Sequence, residues 1–174
     1  MPARQTAAWA ITATPWPEAD ALFHQDPRWL GGDDAYSVNL GNGRVLWLFG
    51  DSFIATSAKH SRRESKMVRN SIAIQHGYDP ATAKMEFFWR GRDQTPASFF
   101  AEKGGIWHWP GHGIRLGDKL LLFLMRLQRV NTGLGFDSAG WTAVLVENPD
   151  ASPAQWRIRW LKTPPNPYRV VIGS

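Results

Sequence analysis

Two apolar runs on either side of a tight polar turn predict a β-hairpin early in the chain. Residues 35–38 and 44–49 are the two runs, and residues 40–43 form the turn. Asn42 and Gly43 tolerate the positive φ angles that such a turn requires. Because the second run is apolar on successive residues, we expect both faces of that strand to be covered.

The predicted order of strands occurs twice along the chain. Residues 70–75 and 85–90 complete a first unit, with a turn at residues 77–80 between them. A second unit follows, with strands predicted at residues 111–116, 119–125, 141–146 and 156–160. The Leu-Gly pair at residues 40–41 corresponds to the pair at residues 116–117, which gives a repeat of about seventy residues.

One run in the second unit fits two kinds of structure. Residues 119–127 are long enough for a buried helix. The hairpin turn before them and their similarity to residues 45–49 favour a strand.

Two successive four-stranded units are typical of β-propeller blades, which cover each other's faces by stacking. We therefore predict an all-β fold, a β-propeller fragment of about two four-stranded antiparallel blades in one domain, residues 1–174. The first blade is predicted at about residues 33–92 and the second at about residues 106–162. Extra terminal strands are predicted at about residues 7–13 and 167–174.

Two blades cannot close a propeller ring, and an open ring leaves sheet faces and edges uncovered. We therefore expect a homodimer, in which two copies supply four whole blades and build a shared fifth from their terminal strands. A truncated piece of a longer protein is the alternative.

Composition favours one domain with an aromatic core. The chain has 174 residues, with ten Trp, nine Phe and no Cys, so large rings rather than disulfides provide the packing area. No apolar run is long enough to cross a membrane, so we predict no membrane partner. The N-terminus lacks the apolar core of a signal peptide, which predicts a cytoplasmic protein if that N-terminus is native.

A net charge of +5 raises the question of a nucleic-acid partner. Most basic residues are scattered along the chain. The densest group lies in a Ser-containing stretch between two predicted strands and consists of Lys59, His60, Arg62, Arg63, Lys66 and Arg69. A solvated loop is the favoured interpretation and a basic lid over an acidic substrate is the alternative, so we predict no nucleic-acid partner.

Three aspartates surround the first predicted hairpin. Asp33 and Asp34 precede its first strand, and Asp51 follows its second. Because an antiparallel pair brings these two ends together, we expect the acids to gather at one rim of the sheet. Hydrolysis of a glycosidic bond uses two carboxyl groups, one protonated and one ionised, and neighbouring like charges can create that difference. The structural alternative is that Asp33 caps a turn and Asp51 bonds to backbone at a strand end.

Other chemistries have weaker support. His108 and His112 suggest a metal site, but no third ligand has a fixed spacing, so a polar lining of a sugar channel is favoured. We predict no metal and no cofactor. Trp29 and Trp109, beside the rim acids, are candidates for stacking on a sugar ring. The sequence has no Gly-rich phosphate loop, no Cys nucleophile and no Ser in a nucleophile elbow, which disfavours phosphoryl and acyl transfer.

The chain resembles the N-terminal half of a five-bladed β-propeller of the glycoside-hydrolase type, a superfamily that includes arabinanases, xylosidases, invertases and levansucrases. The segments that carry this resemblance are residues 29–38, 46–53, 69–72 and 109–113. The resemblance implies a carbohydrate ligand at the mouth of the propeller. It gives a moderately specific indication of fold and a less specific indication of activity.

The resemblance also implies roles for individual residues. Asp34 is the best match to the base or nucleophile on the innermost strand of the first blade, and Asp33 is the alternative. Asp51 resembles an acid of the channel mouth, with Arg69 and Asn70 as companions. The roles implied for these residues are catalysis for Asp34 and Asp51 and substrate binding for Asp33, Arg69 and Asn70.

Two positions depart from the family pattern. His112 stands where the pattern has an acid, and the general-acid glutamate falls beyond Ser174 or near the end of the chain. Glu102 and Glu147 lie in a linker and a turn rather than in an innermost strand. We therefore predict a glycoside-hydrolase-like protein that binds or hydrolyses an oligosaccharide. A non-catalytic sugar-binding module and a purely self-associating half-propeller are the alternatives.

Overall fold

The computed structural model describes residues 10–168 and residue 173, and these residues form an all-β fold. One short helix, α1 (Pro17–Leu22), precedes thirteen strands. The strands are β1 (Trp29–Gly32), β2 (Tyr36–Gly41), β3 (Arg44–Phe49), β4 (Ser52–Ala55), β5 (Ser65–Val68), β6 (Ser71–His76), β7 (Lys84–Phe88), β8 (Arg90–Arg92), β9 (Thr95–Ala97), β10 (Ile106–Leu116), β11 (Lys119–Arg129), β12 (Phe136–Val146) and β13 (Ile158–Leu161). Single 3₁₀ turns lie at Arg62–Glu64 and Pro153–Gln155. The part of the chain that the structure describes contains no helix long and apolar enough to cross a membrane.

The first blade is a four-stranded antiparallel sheet in the order β2-β3-β6-β7. Its predicted hairpin is confirmed, with Tyr36 opposite Leu48 and with φ angles of 52° at Asn42 and 72° at Gly43 in the turn. The fourth predicted strand is shorter than expected. It ends at Phe88, and the chain then enters the small β8-β9 hairpin.

The second blade has the order β10-β11-β12-β13 and is also antiparallel. Residues 119–127 form a strand, so the helical alternative is excluded. Its first three strands each have eleven residues, more than predicted. The innermost, β10, begins at residue 106 rather than 111, because a register shift between Pro110 and Gly113 lets pairing continue past the proline.

The two blades pack face to face through a buried apolar core. Leu46 and Leu48 of β3 lie in the same cluster as Leu122 and Leu124 of β11, and all four are fully buried. The linker between the blades adds the rings of Phe99 and Phe100, among others, to this core.

The opposite face of the first blade is covered by an N-terminal cap, which consists of α1 and the three-stranded sheet β1-β4-β5. Leu22 of the helix and Ile54 of β4 are buried in one cluster with Phe49 of β3 and Phe87 of β7. Both faces of β3 are therefore covered, as its continuous apolar run predicts.

The outer face of the second blade has exposed apolar side chains. Leu40 of the first blade is 1% exposed under the second blade, whereas its repeat equivalent, Leu116, is 53% exposed, and Ile114 beside it is 50% exposed. The predicted homodimer stays a prediction. The cap occupies the outer face of the first blade, so a second copy that stacked on this chain would contact the outer face of the second blade.

The predicted terminal strands are only partly within the described residues. Residues 10–13 form no strand, contrary to the prediction for 7–13, because Pro15 and Pro17 follow closely and no neighbouring edge pairs with this segment in the described structure. Residues 167–168 form a turn. The remainder of both predicted strands, residues 7–9, 169–172 and 174, lies outside the described residues.

An ion network fastens the blades at the turn ends of their first hairpins. Asp150, in the turn before β13, accepts two hydrogen bonds from Arg115 of β10, at 2.8 and 2.7 Å, and pairs with Arg44 of β3. Arg115 also donates to the carbonyl of Leu40 at 2.7 Å. The guanidinium of Arg115, followed by that of Arg44, lowers the pKa of Asp150 to about 2.

Candidate functional site

The loop between β1 and β2 is held against the end of β3 by backbone hydrogen bonds. The N–H of Asp33 donates to the carbonyl of Asp51 at 3.2 Å, and the N–H of Gly50 donates to the carbonyl of Asp33 at 3.0 Å. The next two residues, Asp34 and Ala35, have φ angles of 71° and 61°. Consecutive non-glycine residues in the left-handed region cost of the order of 1 kcal/mol each, and such strain clusters at functional sites.

The side chains of Asp33 and Asp34 converge above Gly50. A Cβ atom added to Gly50 would collide with Oδ1 of Asp33 and with Oδ2 of Asp34. Both oxygens therefore occupy the space that a side chain at position 50 would fill. The sequence left open which of the two carboxylates points to the rim, and the structure brings both there.

Like charges and burial raise the pKa values of both groups. Burial, then the negative charges of Asp33 and Asp51, raises the pKa of Asp34 to about 6. Burial, then the charge of Asp51, raises the pKa of Asp33, while hydrogen bonds from backbone oppose that rise. Each of these two side chains keeps an exposed edge, so a ligand can reach them from solvent.

Asp51 is held from both blades. Its Oδ2 accepts from Nη1 of Arg69 at 3.2 Å, and its Oδ1 accepts from Nε1 of Trp109 at 3.0 Å. The guanidinium of Arg69 lies over the ring of Trp107 at 4.5 Å. These contacts fix the orientation of the Asp51 carboxylate, since both oxygens have a donor.

We call Asp33, Asp34 and Asp51 the acidic rim. The structure brings Arg69 and Trp109 to it, as the sequence predicts, through their bonds to Asp51. The structural alternative fits Asp33, because backbone hydrogen bonds reach its carboxylate. It does not fit the side chain of Asp51, which bonds to Arg69 and Trp109.

The pKa of Asp34 predicts a pH-dependent stability. The folded state binds this proton more tightly than the unfolded chain, whose pKa is near 3.8, so the free energy of unfolding should fall as pH rises from about 4 to about 6. Because the group is partly exposed, we expect a loss of about 1 kcal/mol. Urea unfolding at pH 4.5 and pH 7 measures it, and Asp34→Asn should reduce the difference. A difference that Asp34→Asn leaves unchanged would contradict the assignment.

Other predicted site residues lie elsewhere. Trp29 is buried in the core, where its ring stacks on Phe87 at 4.5 Å and its Nε1 donates to Ser71 at 3.0 Å, so it offers no face to a sugar. His112 is exposed, with its ring 6.5 Å from that of Tyr36.

Two predicted substrate-binding residues are hidden by long-range contacts. Asn70 is fully buried, and its amide bonds to the backbone of Phe100 and His108, so it joins the blades rather than facing a ligand at the rim. His108 is 6% exposed and lies on the side of β10 that carries Pro110 rather than Trp109.

The dense basic group is mostly a solvated loop. Lys59 pairs with Glu64 at 2.6 Å, and the guanidinium of Arg62 lies 3.6 Å from the ring centre of Phe53. Only Arg69 of this group turns toward the acidic rim. Within residues 10–168 and 173, no group of three or more His, Asp and Glu side chains is placed to hold a metal ion.

Comparison with known proteins gives a family. The profile of a family described as a domain of unknown function, DUF5005, matches residues 18–168. The chain belongs to the DUF5005 family. No curated protein matches this DUF5005 chain.

A solved structure of another protein shares the fold of the DUF5005 chain. The crystal structure of a candidate hydrolase from Bacteroides ovatus ATCC 8483 superposes with a TM-score of 0.61 over 80% of this chain, at 16% sequence identity. At this low identity, the superposition shows a shared fold alone. The DUF5005 chain spans 40% of the length of the solved protein. Neither comparison identifies the five-bladed glycoside hydrolases, so that resemblance stays a prediction.

Two positioning residues of the DUF5005 site are not among the residues predicted from the sequence. Gly50 leaves room for the two carboxylates, and Trp107 supports the guanidinium of Arg69. The first has a sequence signal, because a glycine directly after a buried strand and before an acid marks a close approach by other atoms. Trp107 has no such signal, since its partner is thirty-eight positions away along the chain.

Proposed function

We propose that this protein is a hydrolase that cleaves glycosidic bonds of an oligosaccharide at the acidic rim. The observation that carries the proposal is the convergence of Asp33 and Asp34 over Gly50, on a strained backbone, beside Asp51. A glycosidase requires one carboxyl group that can carry a proton near neutral pH and a second that is ionised. A pKa of about 6 suits Asp34 for proton transfer.

We assign the aspartates different roles on the basis of their environments. Asp34 transfers the proton, either to the leaving oxygen or from the attacking water. Asp51, fixed by Arg69 and Trp109, presents its negative charge to the positive charge that develops on the sugar ring in the transition state. Asp33 raises the pKa of Asp34 through its charge and offers oxygens to sugar hydroxyls.

A sugar-binding module without turnover is the second candidate. The positions of two glutamates favour it. Glu102 accepts a hydrogen bond from Ser98 in the linker, at 3.4 Å, and Glu147 pairs with Arg159 at 3.3 Å, so neither takes part in the contacts of the acidic rim. A rim of this kind can hold hydroxyl groups without breaking a bond.

Asp34→Asn tests the proposal, with Asp20→Asn as a matched control on the exposed side of α1. Purified protein is incubated with arabinan, glucuronoxylan and fructan oligosaccharides, and reducing ends are counted. We expect the native chain and the control to cleave one of these glycans, and Asp34→Asn to lose about 100-fold in kcat or more. Equal cleavage by Asp34→Asn contradicts the role of Asp34. Saturable binding without cleavage in all three proteins favours the binding module.

A further inference from the structure

A cavity of about 510 Å³ lies between the linker of the two blades and the second blade. We call it the Arg126 cavity, and its lining residues are Ala101, Glu102, Lys103, Ile106, His108, Arg126, Thr142 and Trp160. Its volume falls within the range of about 300–1,000 Å³ that is typical of small-molecule sites. The residues of the acidic rim are not among its lining, so it is a separate feature.

Arg126 is a mostly buried cation without a counter-ion among the described residues. Glu102 lines the same cavity but forms no ion pair with it. Arg126 also borders a neighbouring cavity of about 550 Å³. Removing a charge from water without a partner is costly, so a guanidinium in this position suits an anionic ligand.

His108 forms a buried part of the cavity wall. Its Nδ1 atom is closed to solvent and has no hydrogen-bond partner among the described residues. Burial, followed by the charge of Arg126, lowers the pKa of His108 to about 4, so the imidazole is neutral at physiological pH. The imidazole therefore places no second positive charge beside Arg126.

Trp160 provides an aromatic wall. Its ring lies 4.8 Å from the imidazole of His108 and is 45% exposed. Aromatic faces bind the apolar faces of sugar rings, while hydroxyl groups need both donors and acceptors nearby. Thr142 and Glu102 add such groups to the lining.

We propose that the Arg126 cavity binds a sugar that carries a carboxylate, of the hexuronate class. The guanidinium of Arg126 pairs with the carboxylate through two parallel hydrogen bonds, Trp160 stacks on the ring, and Thr142 bonds to a hydroxyl group. The inference rests on the proposed function, because it names the class of sugar that such a hydrolase would hold.

Hydrogen bonds connect the segments that line the cavity to the segments that carry the acidic rim. The N–H of Arg69, whose side chain bonds to Asp51, donates to Ser98 at 3.0 Å, and Ser98 donates to Glu102 of the cavity at 3.4 Å. Asn70 holds the carbonyl of His108 at 2.8 Å. A glycan bound in the cavity would therefore contact segments that are hydrogen-bonded to those of the acidic rim.

The test measures binding by titration calorimetry in the Asp34→Asn protein, so that turnover does not affect the result. The probes are D-glucuronate and D-glucose, which differ at C6, and acetate, which has the charge alone. We expect glucuronate to bind at least tenfold more tightly than glucose or acetate. Arg126→Gln should weaken glucuronate binding at least tenfold, whereas Arg129→Gln, an exposed position on the same strand, should leave it unchanged.

Two further variants report on geometry and stacking. Arg126→Lys keeps the charge but not the planar fork, and should recover only part of the affinity. Trp160→Ala should weaken binding of glucuronate, and Trp160→Phe should restore part of it. Circular dichroism checks that each variant is folded.

Several outcomes overturn the inference. If glucose binds as tightly as glucuronate, the site does not recognise the carboxylate. If acetate binds as tightly as glucuronate, the site does not recognise the sugar ring. If Arg126→Gln leaves glucuronate binding unchanged, the site lies elsewhere. If the protein does not bind glucuronate at all, the proposed site does not exist. Loss of the proposed hydrolase activity is a separate result, because native protein that binds glucuronate through Arg126 but cleaves no glycan contradicts only the hydrolase.

Discussion

Replacing Asn70 with alanine is expected to lower the free energy of unfolding by about 2–4 kcal/mol. The Asn70 side chain is fully buried, and its Nδ2 donates to the carbonyls of Phe100, at 3.1 Å, and His108, at 2.8 Å. Its Oδ1 accepts from the N–H of Phe100 at 2.7 Å. Alanine would leave these three backbone groups buried without partners, and water could not reach them without opening the core.

Urea unfolding at neutral pH measures this loss. Asn131→Ala is the matched control, because Asn131 is exposed in the loop after β11 and its loss should cost less than about 0.5 kcal/mol. Asn70→Asp removes both donors and adds a charge, so it should be destabilising as well. If Asn70→Ala unfolds within 0.5 kcal/mol of the control, the amide is not the link between the blades.

Gly50→Ala is expected to reduce turnover about 100-fold while changing stability little. The added methyl group would occupy the space of Asp33 Oδ1 and Asp34 Oδ2. These atoms end flexible side chains at an exposed edge, so they can move aside at low cost in folding free energy. The movement separates the carboxylates, and a shift of about 1 Å in a catalytic group is enough to cost this much in rate.

A double mutant separates this effect from general damage. If alanine acts by displacing the carboxylates, Gly50→Ala should cost little more in a protein that already carries Asp34→Asn. Kinetics on the glycan that the native chain cleaves, together with urea unfolding of each variant, provide the comparison. Full activity in Gly50→Ala, or a large loss of stability with it, contradicts the proposed geometry.

Local signals are enough to predict the two blades. Asn42 and Gly43 determine the turn of the first hairpin, and the apolar run of β11 predicts a strand covered on both faces. The cap is not predictable in the same way, because β1 and β4 are only four residues long and pair across the β2-β3 hairpin. A strand of that length has almost no periodic signal of its own.

Local sequence signals also predict part of the candidate site, while long-range contacts determine the rest. Asp33, Asp34 and Asp51 follow from hairpin geometry, since the ends of paired strands meet. Polarity and sequence neighbours predict an exposed position for Asn70 and His108, but contacts thirty or more residues away bury both. The sequence position of Trp29 beside the acids predicts an exposed ring in the same way, but the cap encloses it.

The cap makes the two ends of the stack of sheets different. One side of the first blade is closed by α1 and the β1-β4-β5 sheet, while the second blade presents Leu116 and Ile114 to solvent on the far side. In arrays of repeats, a finished end blocks addition and an unfinished end permits it. Because the cap already covers one face of the first blade, a further blade that stacked on this unit would contact the outer face of the second blade.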